Sequence, residues 1–135
     1  MSTKESDSAT QLTPEDSEFC QRELARMLET HPGLLGALIA SVDGHVVAAK
    51  LPAGSRDSDL AAMSSSMVGL AETVAQRTGV APCNNLVVDN DGGHMVLMRV
   101  NQSLMLTVMG DKGTNVGMQL SAARICVTAI NEAIR

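Results

Sequence analysis

The sequence predicts an α+β domain: an antiparallel sheet with two helices on one face and a third on the other. Three observations lead there. Helical and strand periodicities alternate in the order helix, strand, strand, helix, strand, strand, strand, helix. The strand segments are apolar on both alternating sets of positions, so both faces of the sheet need cover. The first and last helices can share one face, which leaves the middle helix for the other.

The first helix has a clear start. Thr13 is an N-cap candidate, Pro14 suits the first helical position, and Glu15 and Asp16 fall where the helix end is electropositive. Phe19 or Cys20, then Leu24, Met27 and Leu28, should point inward. His31-Pro32-Gly33 ends the helix, because the residue before a proline is pushed out of the helical region. Residues 34–42 read as a buried strand, Asp43-Gly44 as a tight hairpin turn, and residues 45–51 as the returning strand. After the loop at Pro52-Ala53-Gly54-Ser55, with Asp57 or Ser58 as cap, comes the middle helix, closed by Gly79 and Pro82. Strands follow at 85–89, 94–101 and 103–109, joined by turns at 90–93 and Asn101-Gln102. A loop over 110–115, capped by Thr114 or Asn115, opens the last helix. Its stripe is Val116, Leu120, Ala123, Val127, Ile130 and Ile134.

The middle helix is the most informative segment. Leu60, Met63, Met67, Leu70 and Val74 form one large apolar stripe, expected to face the sheet. Roughly opposite lie Ala62, Ser65, Ser66, Gly69 and Thr73, where a surface helix would carry Lys and Glu. A glycine inside a helix costs about 1 kcal/mol against alanine. Close packing of a second helix on that small face offsets the cost, so these five residues are expected at a homodimer interface. One helix cannot cover five strands. The part of its face left open should be the milder one: Met95, Leu97, Arg99 and Asn101, with Ser103, Met105, Thr107 and Met109 across the hairpin. Met95, Met105 and Met109 read equally well as core and as partner surface.

Composition bounds the function. The 135 residues suffice for one domain, expected over 13–135, and residues 1–12 read as a disordered acidic tail. Net charge is −5, of which residues 1–18 carry −4, leaving the rest of the chain at −1. With Phe19 the only residue among Phe, Tyr and Trp, base-stacking platforms are excluded. Together these argue against nucleic acid and anionic membrane as partners. The apolar run over 34–42 is too short to span a bilayer, and residues 1–16 lack the apolar core of a signal peptide, so a cytoplasmic protein is expected. The cysteines Cys20, Cys83 and Cys126 lack metal or redox spacing and read as buried free thiols.

No constellation looks catalytic. His31, His45 and His94 read as turn or surface residues, and Asp89, Asp91 and Asp111 as turn formers. The loop Gly110-Asp111-Lys112-Gly113-Thr114-Asn115 precedes a helix, where phosphate can bind, but the spacing of a P-loop is missing. The expectation is therefore no enzyme, no metal and no cofactor.

The run Gly33-Leu34-Leu35-Gly36-Ala37-Leu38-Ile39-Ala40-Ser41-Val42-Asp43-Gly44-His45-Val46-Val47-Ala48-Ala49, then Leu60-Ala61-Ala62-Met63 through Gly69-Leu70-Ala71, the hairpin over 89–100 and the final helix together resemble the roadblock family. This is the family of dynein light chains and bacterial GTPase regulators. The resemblance covers about residues 15–135. It implies a single five-stranded antiparallel sheet of profilin-like type and a homodimer in which middle helices pair and third strands meet at their edges, adding Val87 to the interface. It also implies a Ras-like small GTPase as partner, bacterial members being typically partners or regulators of such enzymes. Arg77, Met95, Arg99, Met105 and Met109 are then the expected partner surface. The rival readings are a scaffold subunit for a non-GTPase partner in a motor or signalling complex, and a small-molecule sensor. The shortage of aromatic and convergent polar side chains argues against the sensor.

Overall fold

The computed structural model describes residues 12–134. The elements are α1 (Pro14–Thr30), β1 (Leu34–Ser41), β2 (Val46–Lys50), α2 (Asp57–Arg77), β3 (Leu86–Asn90), β4 (Gly93–Arg99), β5 (Leu104–Asp111) and α3 (Val116–Ala133). The strands form one sheet in the order β2-β1-β5-β4-β3, with every neighbouring pair antiparallel. This is the α+β architecture expected. The disordered tail expected over 1–12 falls on residues 1–11, outside those described. Leu12 itself packs half-buried against the main core.

Local chemistry sets most boundaries. Thr13 and Asp16 form a reciprocal capping box: the Thr13 hydroxyl accepts from Asp16 N at 3.0 Å and Asp16 accepts from Thr13 N at 3.1 Å. Asn115 caps α3 by accepting from Met118 N. Arg56, and neither Asp57 nor Ser58, stands at the N-cap of α2, and it supplies no side-chain cap. Asp57 and Asp59 lie in the first turn instead, where their charge suits the helix dipole. At the β1–β2 turn Gly44 has φ +94°, in the left-handed region that favours glycine. Gly93 is required for a second reason. With φ +141° it stands opposite Asp111, and a Cβ there would lie 1.9 Å from the Gly110 carbonyl oxygen.

The core has two parts, one on each face of the sheet. Cys20, Leu24 and Met27 of α1 and Ala123, Cys126 and Ile130 of α3 pack over Ala37, Ile39, Val96, Met98, Leu106 and Val108. On the opposite face Ala61 and Val68 of α2 lie over Leu38, Ala40, Leu97 and Met105. The first and last helices thus share one face and α2 covers the other. The buried line of α3 runs through Gln119, Ala122, Ala123, Cys126 and Ile130, so Leu120 and Val127 are its half-buried flank.

Candidate interaction surface

The middle helix is rotated by roughly a third of a turn from the expected orientation, so that neither the large stripe nor the small face meets the sheet squarely. Its buried positions are Ala61, Ser64, Val68 and Ala75, a third stripe at helical spacing. The large residues expected inside are largely outside: Met63 is 54% exposed, Leu70 67% and Val74 52%. The cause lies in the sheet. Leu38, Leu97 and Met105 are bulky and fill the space beneath the helix, so the positions facing them squarely are Ala61, Ser64, Val68 and Ala75, while Leu60 and Met67 of the expected stripe pack half-buried at the margin. Ser64, buried and polar, is satisfied across that contact: Thr107 Oγ donates to Ser64 Oγ at 3.0 Å.

The expected interface residues divide accordingly. Ala62, Ser66, Gly69, Thr73 and Val87 are exposed. Ser65 is half-buried, and its hydroxyl donates to the Val42 carbonyl, holding α2 against the β1–β2 hairpin and so within the monomer. Gly69 has open space around it: a Cβ there would meet nothing within 4 Å. Beside these residues, Met67, Leu70, Ala71, Val74, Ala75, Thr78, Val80, Leu86 and Val88 line an apolar groove of about 510 Å³ between α2 and β3, which is an edge strand. Val80 is 71% exposed. Sequence reasoning missed Met63, Leu70, Val74 and Val80 as surface residues. The signal that finds them is the Ala61, Ser64, Val68, Ala75 stripe, which competes with the larger one for the sheet.

The expected partner surface also changes. Met105 is 1% exposed beneath α2 and is core, because the helix covers the part of the sheet expected to be open. Thr107 is buried there too, and Leu97 with it. Arg99 is half-buried and engaged: Nε donates to Glu72 Oε2 at 2.6 Å and Nη2 to Oε1 at 2.9 Å, a two-pronged bond from β4 to α2. These hydrogen bonds hold the Glu72 carboxyl below its usual range and raise the Arg99 pKa further. Met95 and Met109 are paired across β4 and β5 and remain half-buried. Arg77, in the last turn of α2, is exposed.

The loop before α3 is filled by its own side chain. The Asp111 carboxylate accepts from Gly113 N at 3.0 Å and from the Thr114 hydroxyl at 2.9 Å, so the loop carries a negative charge of its own, and Asn115 takes Met118 N at the helix start. Among the described residues, no group of three His, Cys, Asp or Glu is placed to hold a metal ion. His94 Nε2 lies 3.3 Å from Asp89 across β3 and β4. No helix among the described residues is long and apolar enough to cross a membrane.

A five-stranded antiparallel sheet with two helices on one face and one on the other defines a small α+β domain of profilin-like layering. The chain belongs to the Roadblock/LC7 domain family, whose sequence profile matches residues 21–109. Two uncharacterized proteins of Methanocaldococcus jannaschii are each 30% identical to it over 87 residues, 64% of this chain and 75% of theirs. A Roadblock/LC7 domain from Streptomyces avermitilis superposes with a TM-score of 0.78 at 16% identity, over 84% of this chain and 96% of that one. Myxococcus xanthus MglB does so with a TM-score of 0.82 at 12% identity, over 91% and 92%. At such identities the superpositions show a common fold.

Proposed function

We propose that the chain is a homodimeric, non-enzymatic adaptor or regulator of a Ras-like small GTPase and works in the cytoplasm. The observation that carries the self-association is the outer surface of α2. Nothing in the monomer asks for a glycine at position 69, yet Gly69 lowers helix propensity there. Met63, Leu70, Val74 and Val80 lie exposed around the same helix and the following loop. A second copy covering this surface gives both features a physical reason: small residues admit its helix and large ones fill the groove.

The class of partner rests on family membership, since bacterial roadblock proteins typically partner or regulate small GTPases. The chain has no P-loop of its own, which suits a protein that acts on another's nucleotide. Arg77 is the exposed cation of the expected partner surface, with Met95 and Met109 as adaptable apolar contacts. Any acceleration of hydrolysis would come from repositioning the GTPase's own groups.

The test is a titration against Ras-like small GTPases of the same organism, each loaded with GTP or with GDP, followed by hydrolysis at saturation. Preferential binding of the GTP form is expected, with Arg77→Ala weakening binding and lowering turnover in proportion. Equal affinity for both forms would leave a scaffold, and failure to bind either form would remove the GTPase reading.

A further inference from the structure

The two edges of the sheet are treated differently, and the difference points to a residue far away in sequence. At the β2 edge, Gln21 of α1 bonds to both backbone groups of Ala49. Its Nε2 donates to the Ala49 carbonyl at 2.7 Å, and its Oε1 accepts from Ala49 N at 3.2 Å. A residue on an added antiparallel strand makes this same pair of bonds with the residue opposite it. The Gln21 amide therefore stands in the place of a partner strand's peptide group. The ladder is also irregular next to it: Ile39 faces Ala48 and Ala40 faces Val46, so Val47 has no partner of its own. A bulge of this kind bends an edge strand and interrupts further pairing.

Among the described residues, the β3 edge has neither device. Its five residues pair in unbroken register with β4, from Leu86 opposite Leu97 to Asn90 opposite Gly93. The side-chain bond to its backbone is local and long, from Asn90 Nδ2 to the Val88 carbonyl at 3.4 Å.

We infer that Gln21 is a plug on the β2 edge: it occupies the backbone groups through which the β2 of a second copy would add, so that the sheet can extend only at β3. The amide is well placed for this role. It is a neutral donor–acceptor pair, carried on a helix that packs directly against β2 and starts from a capping box. Without it, a domain that associates through β3 has a second open edge, and association at both edges builds open chains in place of a closed pair.

The test compares wild type with Gln21→Ala and Gln21→Met by sedimentation from micromolar to millimolar concentration. Alanine keeps helix propensity, and methionine keeps the length of the side chain without either bond. Both variants should keep the wild-type far-UV circular dichroism and gain mass with concentration, at least doubling that of wild type. Adding Val46→Lys, which places a charge on the same exposed edge, should abolish the gain. A folded Gln21→Met that keeps the wild-type mass throughout would overturn the inference. So would a gain in mass that survives Val46→Lys. The readout is a gain over whatever mass wild type shows, so it stands apart from the proposed pairing through α2 and β3.

Discussion

Leu70→Glu is the sharpest probe of the outer surface of α2. Leu70 is 67% exposed in the single chain, so the fold of one protomer depends on it little, and a surface change of this kind alters stability by roughly 0.5 kcal/mol or less. Burying a leucine completely contributes about 1.5–3 kcal/mol, so the part still exposed is worth roughly 1–2 kcal/mol when a second copy covers it. A two-fold interface contains the residue twice, which makes about 2–4 kcal/mol lost on substitution. The two introduced carboxylates add a desolvation cost of several kcal/mol each if they are buried unpaired. Even if relaxation at the rim removes most of the desolvation cost, association should weaken by about 4 kcal/mol or more. That is roughly a thousandfold in Kd. Sedimentation equilibrium of both proteins measures this, with far-UV circular dichroism to show that the variant is folded. Wild type should be a dimer at micromolar concentration and the variant a monomer. A wild-type monomer at high micromolar concentration, or a variant with unchanged Kd, would refute the reasoning.

Three further outcomes are expected. Hydrogen bonds from Arg99 hold the folded Glu72 pKa below its unfolded value, so the pair contributes above the unfolded value and fades as pH falls through the folded one. Glu72→Gln should therefore cost about 1 kcal/mol in urea unfolding at pH 7, the pair being partly exposed, with the difference shrinking as pH falls below the ordinary glutamate range. Gly110→Ala would place a Cβ 2.5 Å from Gln119 Oε1, and that amide is pinned by bonds to the His94 and Val108 carbonyls. A loss of about 1–3 kcal/mol is expected in the same assay. Burial, with help from nearby acids, pushes the Cys20 thiol up to about 11, and burial pushes that of Cys126 up to about 12. At pH 8 a thiol reagent should modify only the half-buried Cys83 promptly in the native protein, and all three after denaturation.

What was legible in the sequence is what short-range chemistry determines. Thr13-Pro14-Glu15-Asp16, Asp43-Gly44 and Asn115 each carry their turn or cap within four residues, and each stands close to where it was expected. The orientation of α2 was not legible, because it depends on the counter-surface. Two stripes compete for the sheet, and the larger one has the greater transfer free energy. The smaller one is buried because Leu38, Leu97 and Met105 leave little room, which no count along the helix reveals. Met105 was ambiguous for a related reason. Thr107 and its neighbours look like a mild surface until Ser64 supplies a buried partner 43 residues away. The bond from Gln21 to Ala49 spans 28 residues and leaves no local trace at all.

These long-range features share one consequence for the proposed assembly. A helix with a large apolar stripe would ordinarily bury it in its own domain. Here the sheet supplies the bulk, the helix faces it with Ala61, Ser64, Val68 and Ala75, and Met63, Leu70 and Val74 of the large stripe remain on the outside, the last two beside β3. The same distribution leaves the β3 edge regular and open while an amide occupies the β2 edge. Exposed Met63, Leu70, Val74, Val80 and Val87 thus share the side of the molecule that carries the open β3 edge. A surface that offers both is self-complementary under a two-fold axis, since helix can lie on helix and strand on strand in a single contact. If the further binding of a GTPase depends on that pairing, Leu70→Glu should abolish it while Arg77→Ala only weakens it. Full GTPase affinity in a monomeric Leu70→Glu protein would separate the two activities and assign the partner surface to one protomer alone.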